Sequence, residues 1–399
     1  MLKFVRTIKD TPRNSTEECL KDVKCSSSLT CREIFMAQLS CGIVGLPNVG
    51  KSTLFNALTK AGAAASNYPF CTIDPNVGVV LVHDPRLQVL ANFSKSEQII
   101  YATMQFVDIA GLVKGASQGE GLGNQFLGHI RDTDAIVHVV RCFESEDIVH
   151  VGGEIDPIRD IETINLELIL SDLQTCQNSL SRLEKQAKGK KEMVPTLQAL
   201  EKVCAHLNES KSVRTLVLTE EEKEILKAYP FLTQKKVLYA ANVSEDDLPS
   251  MENKYVQTVR EYAKAEGNTV LPICAKLESE IIELDEKEQK EFLETMGLKE
   301  TGLNRLIQTS FRMLGLITYL TTGEKETRAW TVNEGATAVE AAGKIHTDIQ
   351  KGFVRAEVIA YEDMVKYHGR QGAKEAGKLR SEGRDYIVKD GDVILFLHH

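Results

Sequence analysis

No apolar run in this chain is long enough to span a bilayer, and no charged-then-apolar stretch of the signal-peptide kind opens it. A cytoplasmic protein without membrane contact is the expectation. Nine cysteines are present, yet none pair as C-x-x-C. That spacing suits reduced thiols better than a zinc site or a disulfide framework. Basic residues are outnumbered, 48 Lys and Arg against 57 Asp and Glu, for a net charge of −9. Such a balance argues against nonspecific coating of nucleic acid and leaves room for local basic patches at most. Internal repeats are lacking, and the one low-complexity tract is Ser26-Ser27-Ser28. What remains is an ordinary globular composition, 42% hydrophobic and 26% charged over 399 residues, enough for two or three domains.

Residues 45–52 read Gly-Leu-Pro-Asn-Val-Gly-Lys-Ser, a complete G-x-x-x-x-G-K-S phosphate loop. The apolar run Leu39–Val44 before it suits a buried strand, and Thr53–Lys60 after it carries helical spacing. That context gives the motif its meaning. Gly45 and Gly50 let the backbone curl so that N–H groups face a polyphosphate, with the helix N-terminus adding positive potential. Asn48, Val49, Gly50, Lys51, Ser52 and Thr53 are the expected phosphate contacts. Lys51 would reach the β/γ-phosphates as a catalytic group, and the Ser52 hydroxyl would sit on Mg²⁺. A nucleoside triphosphate ligand follows.

Val107-Asp108-Ile109-Ala110-Gly111 ends a strand with D-x-x-G. Asp108 would hold Mg²⁺ through a water, and the Gly111 amide would bond the γ-phosphate. Lys114–Asn124 is rich in glycine and reads as a lid that orders around triphosphate, with a plain flexible loop as the alternative. Thr72, in Tyr68–Pro75, is placed to complete the Mg²⁺ shell; a buried or turn threonine is the alternative.

The base-reading motif of GTPases, N-K-x-D, is here Asn242-Val243-Ser244-Glu245. The missing Asp is the acceptor for the guanine N1–H and N2 amine, which adenine cannot offer. Replacing it with the longer Glu245 makes ATP the better ligand and GTP the weaker. Leu112 follows D-x-x-G where many GTPases place a water-orienting Gln, so intrinsic turnover should be slow. His150 is the leading candidate to supply that function, against the reading of a solvent-exposed loop histidine. His138 lies amid apolar strand residues and reads as structural, and for His129 too the bland reading, without a part in turnover, is preferred. Potassium held near Asn48 is a further candidate.

Short β-rich runs alternate with helical ones from Met36 to about Cys142, the pattern of a nucleotide-binding α/β sheet. Ile161, Ile164, Leu168, Leu173, Leu180 and Leu183 then recur at helical spacing, and Leu197–Leu207 forms a second helical stretch. This reads as an inserted helical hairpin whose tip holds Lys185, Lys188, Lys190 and Lys191, a solvated turn or an RNA contact. A strand returns at Lys236–Ala241. Beyond Met313, strands at Ile317–Thr321 and Arg328–Val332, a helix over Ala338–Ile349, and strands at Val354–Ala360 and Asp392–Leu397 suggest a small half-open sheet gripping one helix. The expected layout is a P-loop G domain in residues 36–159 and 233–312, a helical insert in 160–232 and a third unit in 313–399. Residues 1–35 read as a loosely ordered, dispensable extension.

Together these motifs resemble the YchF-type family of Obg-like ATPases, within the TRAFAC class of P-loop NTPases. Gly45–Thr53 is similar to its phosphate loop, Asn67–Asn76 to its switch segment and Asp108–Phe126 to its D-x-x-G region. Asn242–Glu245 looks like its N-x-x-E, and Cys274–Glu278 like its S-A-K-type base loop, with Cys274 where Ser is usual. Arg328–Thr331, Gly343–Asp348, Gly372–Gly377 and Tyr386–Asp392 resemble its TGS domain. The likeness runs from about Gln38 to the end. Residues 1–35 have no counterpart in it, and His398-His399 departs from the usual Asn-Val ending. The resemblance implies an α/β protein with a P-loop NTPase G domain, an inserted α-helical hairpin and a C-terminal β-grasp-like TGS domain. It also implies an ATPase that engages the ribosome, through its large subunit, in translation or stress regulation. Asn242, Val243, Glu245, Ala275 and Lys276 would frame the base, and the histidine at His150 would matter for hydrolysis.

Overall fold

The computed structural model describes residues 39–62, 76–110, 122–144, 155–186 and 191–399. Among them the strands in chain order are β1 (Ser40–Val44), β2 (Val77–Val82), β3 (Gln98–Ile100), β4 (Ala102–Asp108), β5 (Ala135–Arg141), β6 (Lys236–Asn242), β7 (Thr269–Ile273), β8 (Leu316–Thr322), β9 (Glu326–Asn333), β10 (Phe353–Ala360), β11 (Arg380–Glu382) and β12 (Asp392–His398). They form two sheets.

The first sheet runs β2-β4-β1-β5-β6-β7. Its neighbours pair in parallel apart from β2, which runs antiparallel to β4 on the edge. Every residue of β1 and β5 is buried, as expected where helices cover both faces of a parallel sheet. On one face, Leu54 and Leu58 of the Lys51–Ala61 helix pack with Leu306 and Phe311 of the Gly302–Met313 helix. On the other, Phe126 and Ile130 of the Leu122–Asp132 helix pack with Val256 and Val259 of the Lys254–Glu266 helix.

A 30-residue helix, Pro157–Gln186, leaves this second face. Asp156 Oδ1 accepts the Ile158 and Arg159 N–H groups at 3.1 Å each, and Pro157 occupies the first turn, where a missing N–H costs nothing. Ile161, Ile164 and Leu168 bury into the sheet's core. Ile169 and Cys176 pack instead on Leu200 and Val203 of the Val194–Asn208 helix. The chain returns through Asp172, whose carboxylate accepts Leu232 N–H, Thr233 N–H and Thr233 Oγ1–H at 2.7–2.8 Å.

The second sheet runs β11-β10-β12-β8-β9-β3 and packs on the Ala338–Ile345 helix. The single helix read over Ala338–Ile349 is in fact two. His346 is extended (φ −163°, ψ 145°), and its Nδ1 accepts the Asp348 N–H to open a new turn at Thr347–Lys351. A side chain that caps the next turn ends the first helix early.

β3 comes from the segment preceding β4, yet it pairs in parallel with β9. The same segment is bolted to the β8–β9 hairpin: Ser96 Oγ donates to Gly323 O at 2.6 Å, and Glu97 N–H to Glu324 O at 2.9 Å. One apolar cluster continues from Leu54 through Leu306 to Leu320, Ile359 and Val393. Arg86 closes the junction. Its guanidinium donates to both Asp84 oxygens at 2.8–3.1 Å, to Asp390 Oδ2 at 2.8 Å and to Thr318 Oγ1 at 3.0 Å. Gly391 is needed beside it: φ is +82°, and a Cβ there would meet Arg86 Nη1 at 2.7 Å.

Burial alone would raise the Asp390 pKa, but hydrogen bonds from Arg86 and the Thr318 amide outweigh it and hold the carboxyl below its ordinary value. The contribution of Asp390 to stability is therefore present above the unfolded carboxylate pKa of about 4 and is lost as pH falls through the lower folded value. Arg86→Ala should lower the unfolding free energy at neutral pH by about 2 kcal/mol, since the largely buried Asp84 carboxylate loses its cation and keeps only the backbone N–H of residue 86. Denaturant titrations at pH 7 and pH 3 check this. The deficit should shrink at the lower pH, and equal stability at pH 7 would refute the role of the junction.

Candidate nucleotide site

The carboxyl ends of β1, β4, β6 and β7 lie along one edge of the first sheet, where an α/β sheet presents its ligand loops. β1 runs into residues 45–50. Asn48 and Gly50 adopt positive φ, +64° and +93°, and Val49 is 1% exposed, pinning the loop to the core. Glycine is required at 50 twice over, because a Cβ would also meet Asn242 Nδ2 at 2.2 Å. The Lys51–Ala61 helix that follows has no side-chain cap and no acidic residue in its first turn. Its leading N–H groups therefore need an acceptor from outside the helix, and an anion is the natural one.

The Lys51 ammonium and the Asp108 carboxylate are ion-paired across the ends of β1 and β4, with side chains 11% and 23% exposed. The Ser52 and Thr53 residues beside them are exposed. Glycine-lined backbone, one ammonium, one carboxylate and a free hydroxyl face are thus collected at one point, a set able to take a polyphosphate and a hard cation.

Asn242 closes the floor. Its side chain is buried, Nδ2 donates to Val49 O at 2.9 Å, and Oδ1 accepts the Ala275 N–H at 3.0 Å. The sequence suggests a base contact here; the structure adds a clamp between the phosphate loop and the start of the Ala275–Ile281 helix. Val243 continues the sheet, its N–H bonded to Ile273 O at 2.9 Å. Glu245 is half-buried in a one-turn segment framed by Ser244 and Asp247. Lys276 Nζ donates to Glu245 Oε2 at 2.7 Å, a hydrogen bond that raises the Lys276 pKa. The carboxylate standing where a guanine-reading Asp would be is thus already engaged. Burial raises the pKa of the Cys274 thiol, which precedes this helix.

Two further residues went unnoticed in sequence. Glu278, 1% exposed, accepts the Gly302 and Leu303 N–H groups at 2.7 and 3.1 Å, capping the Gly302–Met313 helix. Arg305 of that helix donates to Pro272 O at 3.2 Å. The sole hint was Gly302 after Thr301, an N-cap pair whose partner lies elsewhere in the chain. Of the histidines, His129 is exposed. His138 is buried, and burial together with nearby Arg214 pushes its pKa down to about 3, so it stays neutral. Thr72, Gly111 and His150, most of the glycine-rich segment, and Lys188 and Lys190 lie outside the described residues.

Comparison with known proteins agrees with this geometry. A family model described as a 50S ribosome-binding GTPase matches residues 40–176. A carboxy-terminal YchF GTPase model, described as a protein of unknown function, matches residues 316–399. The ribosome-binding ATPase YchF of Haemophilus influenzae is 59% identical over 357 residues, 89% of this chain and 98% of that protein. Its namesake in Bacillus subtilis is 53% identical over 360 residues, with 90% and 98% covered. The solved YchF GTPase of Schizosaccharomyces pombe superposes with a TM-score of 0.81 at 38% identity, covering 90% of this chain and 98% of that one.

Asn242→Ala leaves a buried carbonyl and a buried amide without partners. It should lower unfolding free energy by about 1–3 kcal/mol and weaken nucleotide binding along with it. Chemical denaturation and nucleotide titration of the variant measure both. A variant as stable as the parent would show that the clamp carries no load.

Proposed function

The chain belongs to the YchF family, and we propose that it is an ATPase that binds ATP with Mg²⁺, slowly hydrolyses the β–γ phosphoanhydride bond and engages the ribosome in the cytoplasm. The observation that carries this reading is the uncapped helix start behind residues 45–50, with Lys51 and Asp108 paired at its mouth. An incoming phosphate competes with Asp108 for Lys51, which then neutralises the oxygens on which charge builds. Asn48, Val49, Gly50 and Thr53 line the phosphates, and the Gly111 amide bonds the γ-phosphate. Ser52, Thr72 and Asp108 form an all-oxygen set suited to Mg²⁺. When bound, the metal would offset charge on the β- and γ-phosphates. Asn242, Val243, Glu245, Ala275 and Lys276 frame the base.

In this reading, residues 36–159 and 233–312 make the nucleotide unit, 160–232 the helical insert and 313–399 a TGS-like domain. The hairpin tip and that domain are the surfaces offered to ribosomal RNA. GTP hydrolysis is the second reading, favoured by the solved relative's description as a GTPase. The Lys276–Glu245 pair supports ATP instead, because a carboxylate engaged by lysine is a poor acceptor for the guanine N1–H. Losing or displacing a charged hydrogen bond costs roughly 1.5–3 kcal/mol, about 10- to 150-fold in affinity.

Calorimetry with ATP and GTP side by side is therefore expected to favour ATP at least several-fold, with Glu245→Asp recovering part of the GTP affinity. Equal or reversed affinities would overturn the ATP reading, and hydrolysis with and without ribosomes tests the partner.

Leu112 cannot orient a water, so we assign that task to His150, whose imidazole can donate, accept or stabilise charge near neutral pH. The segment bearing it follows β5, whose carboxyl end faces the nucleotide edge. His150→Ala should lower turnover by about 10²-fold while ATP affinity stays near that of the parent, the pattern of an interaction used in the transition state. Parent-like turnover would transfer the role to potassium near Asn48 or to a group supplied by the partner.

A further inference from the structure

We propose that Cys176 and Cys204 form a redox-reversible staple across the helical hairpin, a disulfide closed by sustained exposure to a peroxide and reopened by a dithiol. The two residues sit on the Pro157–Gln186 and Val194–Asn208 helices, in one apolar cluster with Ile169, Leu200 and Val203. The Cys176 thiol donates to Leu200 O at 3.3 Å. Leu200 lies one turn before Cys204, so its carbonyl is the one that the Cys204 N–H addresses along the helix. Cys176 sulfur is thereby held at the axial level of Cys204 on the facing helix. Both cysteines are free thiols in the structure.

Exposure sets the order of events. Cys204 is partly exposed and Cys176 fully buried, so the peroxide meets Cys204 first. With hydrogen peroxide, the Cys204 sulfur takes one oxygen to give a sulfenic acid, and water leaves. Cys176 sulfur then attacks the Cys204 sulfur: an S–S bond forms, the S–O bond breaks, and the hydroxyl departs as water with the Cys176 proton. Two electrons pass from the thiols to the peroxide, and two waters form. Burial, reinforced by Cys204, pushes the Cys176 thiol up to about 12. Its thiolate is scarce at neutral pH, so closure is slow and answers to prolonged oxidation. The cluster around the pair is separate from the core that seats the phosphate loop, so closure stiffens the hairpin and leaves nucleotide binding unchanged.

The test uses the full chain, held in hydrogen peroxide for hours, alkylated and digested with trypsin without reduction. Trypsin places Cys176 on residues 160–182 and Cys204 on residues 203–211, one cysteine in each. A cross-linked pair of these peptides that dithiothreitol abolishes is the expected result. The oxidised parent should also melt several degrees higher, a gain absent from Cys204→Ser. In Cys176→Ser, Cys204 sulfenic acid should persist and be trapped by dimedone. Recovery of both peptides alkylated, Cys204 as sulfinic acid beside a free Cys176, or Cys204 joined to another cysteine would overturn the proposal. The peptide analysis is made on the parent, so it stands even if a serine variant folds poorly.

Discussion

The amide of Asn242 is the contact on which the nucleotide edge depends. Among the described residues it is the buried side chain that bonds both the phosphate loop, through Val49 O, and the base loop, through the Ala275 N–H. Its orientation is forced, since a flipped amide would set oxygen against oxygen at Val49. The same nitrogen lies so near Gly50 that no side chain could stand there. A loop that must curl around phosphate is thus held from behind by a rigid strand end, which is how a site keeps its donors aimed before a ligand arrives.

From that clamp a series of packed elements leads out to the second sheet. Ala275 opens a short helix; Glu278 within it caps the Gly302–Met313 helix; and Lys236 Nζ bonds Met313 O at 2.8 Å as that helix ends before β8. A second link runs through β3, Ser96 and Arg86. With a single apolar cluster beneath both, independent rotation of the second sheet would break the bonds of Arg86 to Asp390 and Thr318, a parallel strand pair and a continuous core together. Coupling between nucleotide and carboxy-terminal surface is then a matter of small shifts in packed elements, not of a free hinge.

The parts of this design visible in the sequence are those whose chemistry is local. The phosphate loop announces itself because positive φ, a lysine and a hydroxyl must fall at set spacings. β5 does so because a strand buried on both faces has no polar period. Asp108 followed from D-x-x-G. β3 was missed because three residues carry no period, and its partner β9 lies more than two hundred positions away. Glu278 was missed because an acidic residue on a helix reads as solvated, and its burial is decided by two amides from another element. The break at His346 was hidden for a related reason, since the apolar spacing runs on through a residue whose ring prefers to cap the next turn.

The long helix Pro157–Gln186 shows how one element serves two cores. Its first turns are part of the sheet's own packing, while from Ile169 onward it faces the Val194–Asn208 helix. Asp172 sits at the changeover and ties the returning chain to it through three hydrogen bonds. Burial raises the Asp172 pKa, and the hydrogen bonds from Thr233 and Leu232 oppose that rise. Replacing that carboxylate would leave two buried amides without acceptors, so the hairpin's root is fixed by hydrogen bonding, whereas further out apolar contact is joined by the single thiol bond from Cys176 to Leu200 O. A hairpin rigid at its root and held by contact further out is one whose stiffness a single bond between its two helices would alter most.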